Sequence, residues 1–376
     1  MPRGASLPRR GRPIHPLLPY PPVRSGGDPA PATPAIRLAH AAATTPRPGP
    51  SRRLVLLGTV VALLVAGGLG GLVAAVDRRS PARGSSEWRA ALAPERGTLL
   101  GAWVAPDWPK PGAAQQAVAG FERRIGRKLA IDHHFYRWSK PYPTWRERAD
   151  LDAGRIPLIS WNGTDTTRIA AGAEDDLIRD RAAAVRDLGR PVLLRWFWEM
   201  DGRDAAVSVR SPASFVAAWR HIHKLFEATG ATNVAWVWCP NATAFTSGKA
   251  PAYYPGNAYV DWICADGYNW APGRPGDSWQ PFADIFADFY AWAAPKGKPL
   301  MVAEFGAQER APGEKARWIA DARRAIKQRF PRIAALVYFN EDREGYDWRV
   351  ETSPSAEAAF RDLARDPYFS PDRPGG

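Results

Sequence analysis

PVLLRWFWEM, residues 191–200, decides the fold. It is a strand-length apolar run, bounded by Pro191 and closing on one carboxylate, Glu199. Its hydrophobicity is nearly continuous rather than alternating, which is the texture of a parallel strand covered on both faces. A glutamate between Trp198 and Met200 is expensive if it is buried and idle. Either the strand has ended and the carboxylate meets water, or its surroundings tune it for proton transfer.

The same texture repeats on both sides of this run. Downstream, SPASF announces a helix, with Ser211 as its N-cap and Pro212 at its first position, and the helix runs to Gly230. Further apolar runs fall at 98–105, 128–138, 156–163, 233–241, 260–270, 299–308 and 333–342. Amphipathic stretches lie near 112–125, 174–188, 281–294, 313–329 and 354–365. Eight strands, most of them followed by a helix, predict an α/β fold, a (β/α)8 TIM barrel over residues 97–370. In that fold the chemistry sits at the C-terminal ends of the strands.

Those ends are rich in aromatic and polar side chains. His134 stands on the second strand, Trp161 on the third, and Arg195, Trp198 and Glu199 on the fourth. Trp238 and Asn241 close the fifth, Asp266, Tyr268 and Trp270 the sixth, and Glu304 lies on the seventh. Two glutamates at the ends of apolar runs suit glycosidic cleavage: one donates a proton to the leaving oxygen, the other attacks the anomeric carbon or activates water. Indole rings suit the same substrate, because sugar C–H faces lie flat on them while the N–H still bonds.

Ahead of the barrel the composition changes. Residues 1–53 hold nine Arg and one acid, Asp28, so +8 of the chain's +13 lies there. This Pro/Arg-rich segment reads as a disordered tail. The high charge therefore belongs to a tail and not to a nucleic-acid-binding face, and no nucleic-acid partner is expected. LVLLGTVVALLVAGGLGGLVAAV, 54–76, is 23 residues without a charge. At about 1.5 Å per residue it can cross a hydrocarbon core of about 30 Å, and it exceeds the roughly 7–15 apolar residues of a cleavable signal peptide. Arg52 and Arg53 abut its start, so the positive-inside rule expects a signal anchor with a cytoplasmic N-terminus and the barrel outside the cell. Residues 77–96 read as a linker. The two cysteines, Cys239 and Cys264, read as buried thiols, with a single bridge the alternative for an exported domain.

Here a resemblance enters. From about Gly101 to Phe369 the chain resembles glycoside hydrolase family 26, the β-mannanase family, within clan A of the retaining glycosidases. RWFWEMDG looks like the family's R-P-x-H-E-M-x-G segment and VAEFG like its E-F-G segment. The resemblance implies Glu199 as acid/base, Glu304 as nucleophile, Tyr268 as its hydrogen-bond partner, and Arg195 as a support. Trp198, Trp238, Asn241, Trp270, His134 and Trp161 are the expected substrate contacts. Trp198 stands where the family has histidine, and Trp196 where it has proline.

The expected function is retaining hydrolysis of a β-linked polysaccharide, first of β-1,4-mannan type, with β-glucan, xylan or an envelope polymer as alternatives. A membrane-tethered carbohydrate-binding protein on the same barrel would not need both glutamates. A metal-dependent barrel is disfavoured, because His133 and His134 point to opposite faces of a strand. No cofactor or metal is expected, and the chain is expected to act as a monomer.

Overall fold

The computed structural model describes residues 92–107, 110, 112–273, 276–343 and 345–371. Eight parallel strands close into a barrel in sequence order. They are β1 (Leu99–Val104), β2 (Ile131–Tyr136), β3 (Ile156–Trp161), β4 (Val192–Trp196), β5 (Val234–Trp238), β6 (Trp262–Asn269), β7 (Leu300–Ala307) and β8 (Ile333–Asn340). Closure is made by β1 on β8, with Leu99 opposite Ala335 and Val104 opposite Asn340.

Helices cover the outside. They are α1 (Ala113–Ile125), α2 (Trp145–Asp152), α3 (Thr166–Ala170), α4 (Asp175–Arg186), α5 (Pro212–Ala228), α6 (Ala242–Thr246), α7 (Phe282–Ala293), α8 (Glu314–Gln328) and α9 (Pro354–Arg365). A short ribbon, β9 (Asp342–Arg343) and β10 (Tyr346–Asp347), follows β8.

Local chemistry explains the ends. Ser211 caps α5, accepting from the Ser214 N–H, with Pro212 in the first turn as the sequence predicts. Helix α2 does not stand out in the sequence, since WRERADLD carries no apolar stripe. It is started by a capping box, Thr144 with Glu147.

The barrel has two cores, divided by the two-residue strand period. Leu99, Ile131, Leu158, Leu193, Val237, Met301 and Val337 fill its interior. The alternate residues, among them Ile159, Trp161, Leu194, Trp196, Trp236, Trp238 and Tyr338, pack outward among the helices. The bulky indoles are therefore chiefly the cement of the outer layer.

The expected membrane segment 54–76, the tail 1–53 and most of the linker 77–96 lie outside the described residues. Among the described residues no helix is long and apolar enough to cross a membrane. Cys239 and Cys264 do not remain thiols: they are joined as a disulfide, with Cα atoms 4.4 Å apart. Both face the barrel interior, Cys239 from the residue just past β5 and Cys264 from the adjacent β6, which is what brings them together.

Candidate active site

The site stands on the inner core. Directly above that apolar plug lies a buried polar layer centred on Arg195, which is fully buried on β4. Its Nε donates to Ser160 Oγ at 2.7 Å, and Nη1 donates to both oxygens of Asp266 at 2.8 Å. Nη2 donates to Glu304 Oε1. A guanidinium forks naturally between two carboxylates, and burying it without them would be prohibitive.

Strict alternation would turn Glu304 away from this cation. Met301 and Ala303 belong to the inner core and Val302 to the outer, so Glu304 is due to face the helices. A β-bulge breaks the parity. Ala265 pairs with Val302, but Asp266 pairs with Glu304, leaving Ala303 without an opposite residue. The extra residue re-aims the strand, so that Ala303 and Glu304 both point inward. Tyr268, two residues past Asp266, then donates its hydroxyl to Glu304 Oε2 at 2.6 Å. Both oxygens of Glu304 are thus held by donors.

Glu199 reaches the mouth by a different route. Strand β4 ends at Trp196, and both Phe197 (φ 46°) and Glu199 (φ 52°) take left-handed backbone conformations. The Glu199 N–H donates to the Cys239 carbonyl at 2.9 Å, and its own carbonyl accepts from Gly202. The side chain is partly buried. Burial pushes its pKa up to about 8, helped by the charges of Glu304 and Asp201 and opposed by Arg195. Two carboxyls at one mouth therefore differ: one is clamped by a cation and a phenol, the other holds its proton.

The remaining predicted residues divide. Trp198 reaches the mouth, edge-on to Phe135 at 5.2 Å with the Arg195 guanidinium 5.5 Å from its ring centre. Trp270 packs against Tyr268 and Trp348 at 5.3 and 5.1 Å. Asn241 stands at the rim, and its backbone N–H donates to Asp201 at 2.8 Å.

Three expected substrate contacts face the other way. Trp161 is fully buried in the outer core, stacked on Trp138 at 4.3 Å. Trp238 is buried against Phe245 and Trp292, with its N–H on the Tyr253 carbonyl. His134 points to α2 and bonds Asp150 at 2.6 Å. Each sits one position off the inward parity, and the inward residues are Ser160, Cys239 and His133. His133 bonds Ser160 at 2.6 Å, and burial followed by the Arg195 charge lowers its pKa.

Sequence reasoning missed Ser160, Phe135, Asp201 and Tyr346. Parity counted from Arg195 flags Ser160, its direct neighbour across the β3–β4 ladder. Tyr346 and Trp348 stack at 5.8 Å on the segment after β8. That segment is pinned by the buried Lys315, whose Nζ reaches the Arg349 carbonyl and Thr352 Oγ1.

Among the described residues, two groups bring three potential metal donors together. One is Cys239, Cys264 and Asp266, whose sulfurs are spent in the disulfide. The other is Asp132, His134 and Asp150, which is charge-paired with Arg155 through Asp150. Neither faces the mouth as an open set.

An eight-stranded barrel with one carboxyl just past β4 and another on β7, both at the mouth, defines the class of two-glutamate barrel glycosidases. Comparison narrows this: the model of glycosyl hydrolase family 26 matches residues 122–355, and the chain belongs to that family. A protein named Endoglucanase H, from Acetivibrio thermocellus, is 35% identical over 278 residues, covering 71% of this chain and 30% of that protein. A mannan endo-1,4-beta-mannosidase of Caldalkalibacillus mannanilyticus is 28% identical over 177 residues, 46% of this chain and 29% of the relative. The chain thus spans about 30% of the length of these curated relatives. A GH26 beta-mannanase structure from Bacteroides ovatus superposes with a TM-score of 0.57 at 14% identity, covering 75% of this chain and 92% of that one, a likeness of fold.

Proposed function

We propose that the chain is a retaining endo-acting glycosidase for β-linked glucan or mannan backbones, anchored in the cell membrane through residues 54–76 with the barrel outside. The carrying observation is the inequality of the two carboxyls: Glu199 is pushed up to about 8, while Glu304 is held by Arg195 and Tyr268.

In the first step an oxygen of Glu304 bonds to the anomeric carbon as the glycosidic C–O bond breaks. Glu199 gives its proton to the departing oxygen. In the second step Glu199, now a carboxylate, takes a proton from water as the water oxygen attacks the same carbon and Glu304 leaves. Arg195 and Tyr268 keep the nucleophile aimed and take up its charge when it is released. Trp198 and Trp270, at the mouth, are the rings that sugar faces would lie on.

Glucan stands beside mannan for two reasons. A relative sharing 35% identity carries an endoglucanase name, and Trp198 replaces the histidine of the mannanase pattern at the mouth. The disulfide supports the external location, since such bonds persist in oxidising compartments.

The test is reducing-sugar release by the full chain from mixed-linkage β-glucan and β-mannan, beside Glu304→Ala. Release from either polymer that the variant lacks, with the β-anomer as first product by NMR, is the expected result. Release that survives in Glu304→Ala, or a first product of α configuration, would reject the two-glutamate retaining scheme.

A further inference from the structure

The turn that carries Glu199 is built in a way that its two-step chemistry does not require by itself. Along β4 the side chains alternate, with Leu193 and Arg195 inward and Leu194 and Trp196 outward. Continued alternation would put Phe197 in the mouth and Trp198 among the helices. The structure does the reverse. Phe197 follows Trp196 into the outer core, and Trp198 meets Phe135 and Arg195 at the mouth. The left-handed backbone at Phe197 makes this inversion. A second left-handed residue, Glu199 itself, then keeps the carboxyl on the mouth side, where the charges of Glu304 and Arg195 act on it.

Neither residue is a glycine, and bulky L-residues do not hold this conformation unless their surroundings over-determine it. One anchor is visible. The Phe197 ring is buried, packed against Trp196 at 5.6 Å and Phe215 at 6.4 Å, and it lies directly over Gly163. A Cβ at Gly163 would stand 1.8 Å from Phe197 Cδ2 and 2.2 Å from Cε2. Gly163 lies just beyond β3, outside every strand and helix, so its lack of a side chain serves the ring rather than a turn. The Phe197 N–H is fixed to the Trp161 carbonyl at 2.8 Å. At the far end the Asp201 carboxylate takes the Asn241 N–H, closing the turn from the β5 side.

We propose that Gly163 and Phe197 form a ring-in-slot lock that holds the Glu199 turn in its left-handed geometry, making both of them positioning residues for proton transfer. The proposal rests on Glu199 being the acid/base. It predicts a selective defect. Filling the slot or removing the ring lets the turn relax toward ordinary alternation. The carboxyl then misses the glycosidic oxygen, while Glu304, on β7, keeps its clamp of Arg195 and Tyr268.

The experiment compares Gly163→Ala and Phe197→Ala with wild type and Glu199→Ala, all as full chains. The substrates are mixed-linkage β-glucan or β-mannan, whose leaving alcohol needs a proton, and 2,4-dinitrophenyl β-cellobioside or β-mannobioside, whose phenolate does not. A 1 Å misplacement can cost about 100-fold in rate. The lock predicts a loss of about that size on the polysaccharide, with glycosylation by the dinitrophenyl substrate changed by less than about threefold, since no proton is transferred there. Phe197→Ala introduces no clash and so carries the test if Gly163→Ala does not fold.

Equal losses on both substrates in a folded variant, or no loss on either, would overturn the lock. Glu199→Ala separates the two layers. If it shows the leaving-group-selective defect and azide restores its turnover, the acid/base reading stands and the lock is judged on its own variants. If Glu199→Ala shows no such selectivity, the acid/base assignment fails and the lock falls with it.

Discussion

A proton held at about pH 8 by a carboxyl has consequences that can be measured without any substrate. An unfolded glutamate releases its proton near 4.5, whereas folded Glu199 releases it at about 8. Between those values the native state binds the extra proton, so stability declines as pH rises through that window and levels off above it. Glu199→Gln removes this dependence. Relative to wild type it gains on the order of 2 kcal/mol between pH 5 and pH 8.5, a figure set below the full shift because Glu199 as a residue is only partly buried. Urea midpoints of both proteins at the two pH values give the comparison. Equal midpoint differences at both would mean that Glu199 titrates normally. With Glu199 in its proposed role as the acid, kcat/KM is expected to fall as pH passes about 8, where the acid form is lost. Tyr268 supplies one of the Glu304 contacts, and Tyr268→Phe lowers kcat by about 10- to 100-fold. An unchanged kcat would remove Tyr268 from the support of Glu304.

At the scale of the element, the strands were legible because each is a nearly unbroken apolar run, and the two glutamates were legible because they end such runs. Which face each aromatic takes was not legible. Trp161, Trp238 and His134 look like neighbours of the site in sequence, yet the two-residue period sends each of them outward, and nothing within one strand says which parity is inward. Arg195 could have set it, because a cation in so apolar a run demands carboxylate partners, and Asp266 and Glu304 stand on the apolar runs of the sixth and seventh strands. Even a correct parity would have misplaced Glu304 and Phe197. The first is re-aimed by a bulge and the second by a left-handed turn, and both are tertiary bargains with little local signature.

The outward His134 is not idle. It lies between β2 and α2 against Asp132 and Asp150, and although burial opposes its charge, Asp132, Asp150 and Glu147 raise its pKa to about 9. The folded state therefore binds a proton that an unfolded histidine gives up near 6.5. This contribution is complete below pH 6.5 and is lost as pH climbs to about 9. His134→Gln, judged by denaturant midpoints, costs on the order of 3 kcal/mol at pH 6 and markedly less at pH 9.5. A cost that does not change with pH would mean that the histidine is neutral and only packed.

For the whole molecule the informative feature is the disulfide between the end of β5 and the neighbouring β6. Cys239 and Cys264 are fully buried, and the bond closes a loop with a sequence separation of 25. A loop of that length limits the unfolded chain enough to contribute about 3 kcal/mol. Cys239 also stands where both halves of the site meet: its carbonyl takes the Glu199 N–H, and its sulfur lies 3.3 Å from Asp266, the partner of Arg195. Replacing both cysteines by alanine should therefore lower stability by about 2–4 kcal/mol. The bond also bears on the proposed external address, because disulfides persist in oxidising compartments and are rare in a reducing cytoplasm. In cells with the full chain at its proposed address, added protease should digest the barrel while a tag ahead of residue 54 survives, and thiol alkylation of freshly lysed cells should find both cysteines blocked. Free cysteines together with a protected barrel would place the enzyme inside the cell and reverse the orientation read from Arg52 and Arg53.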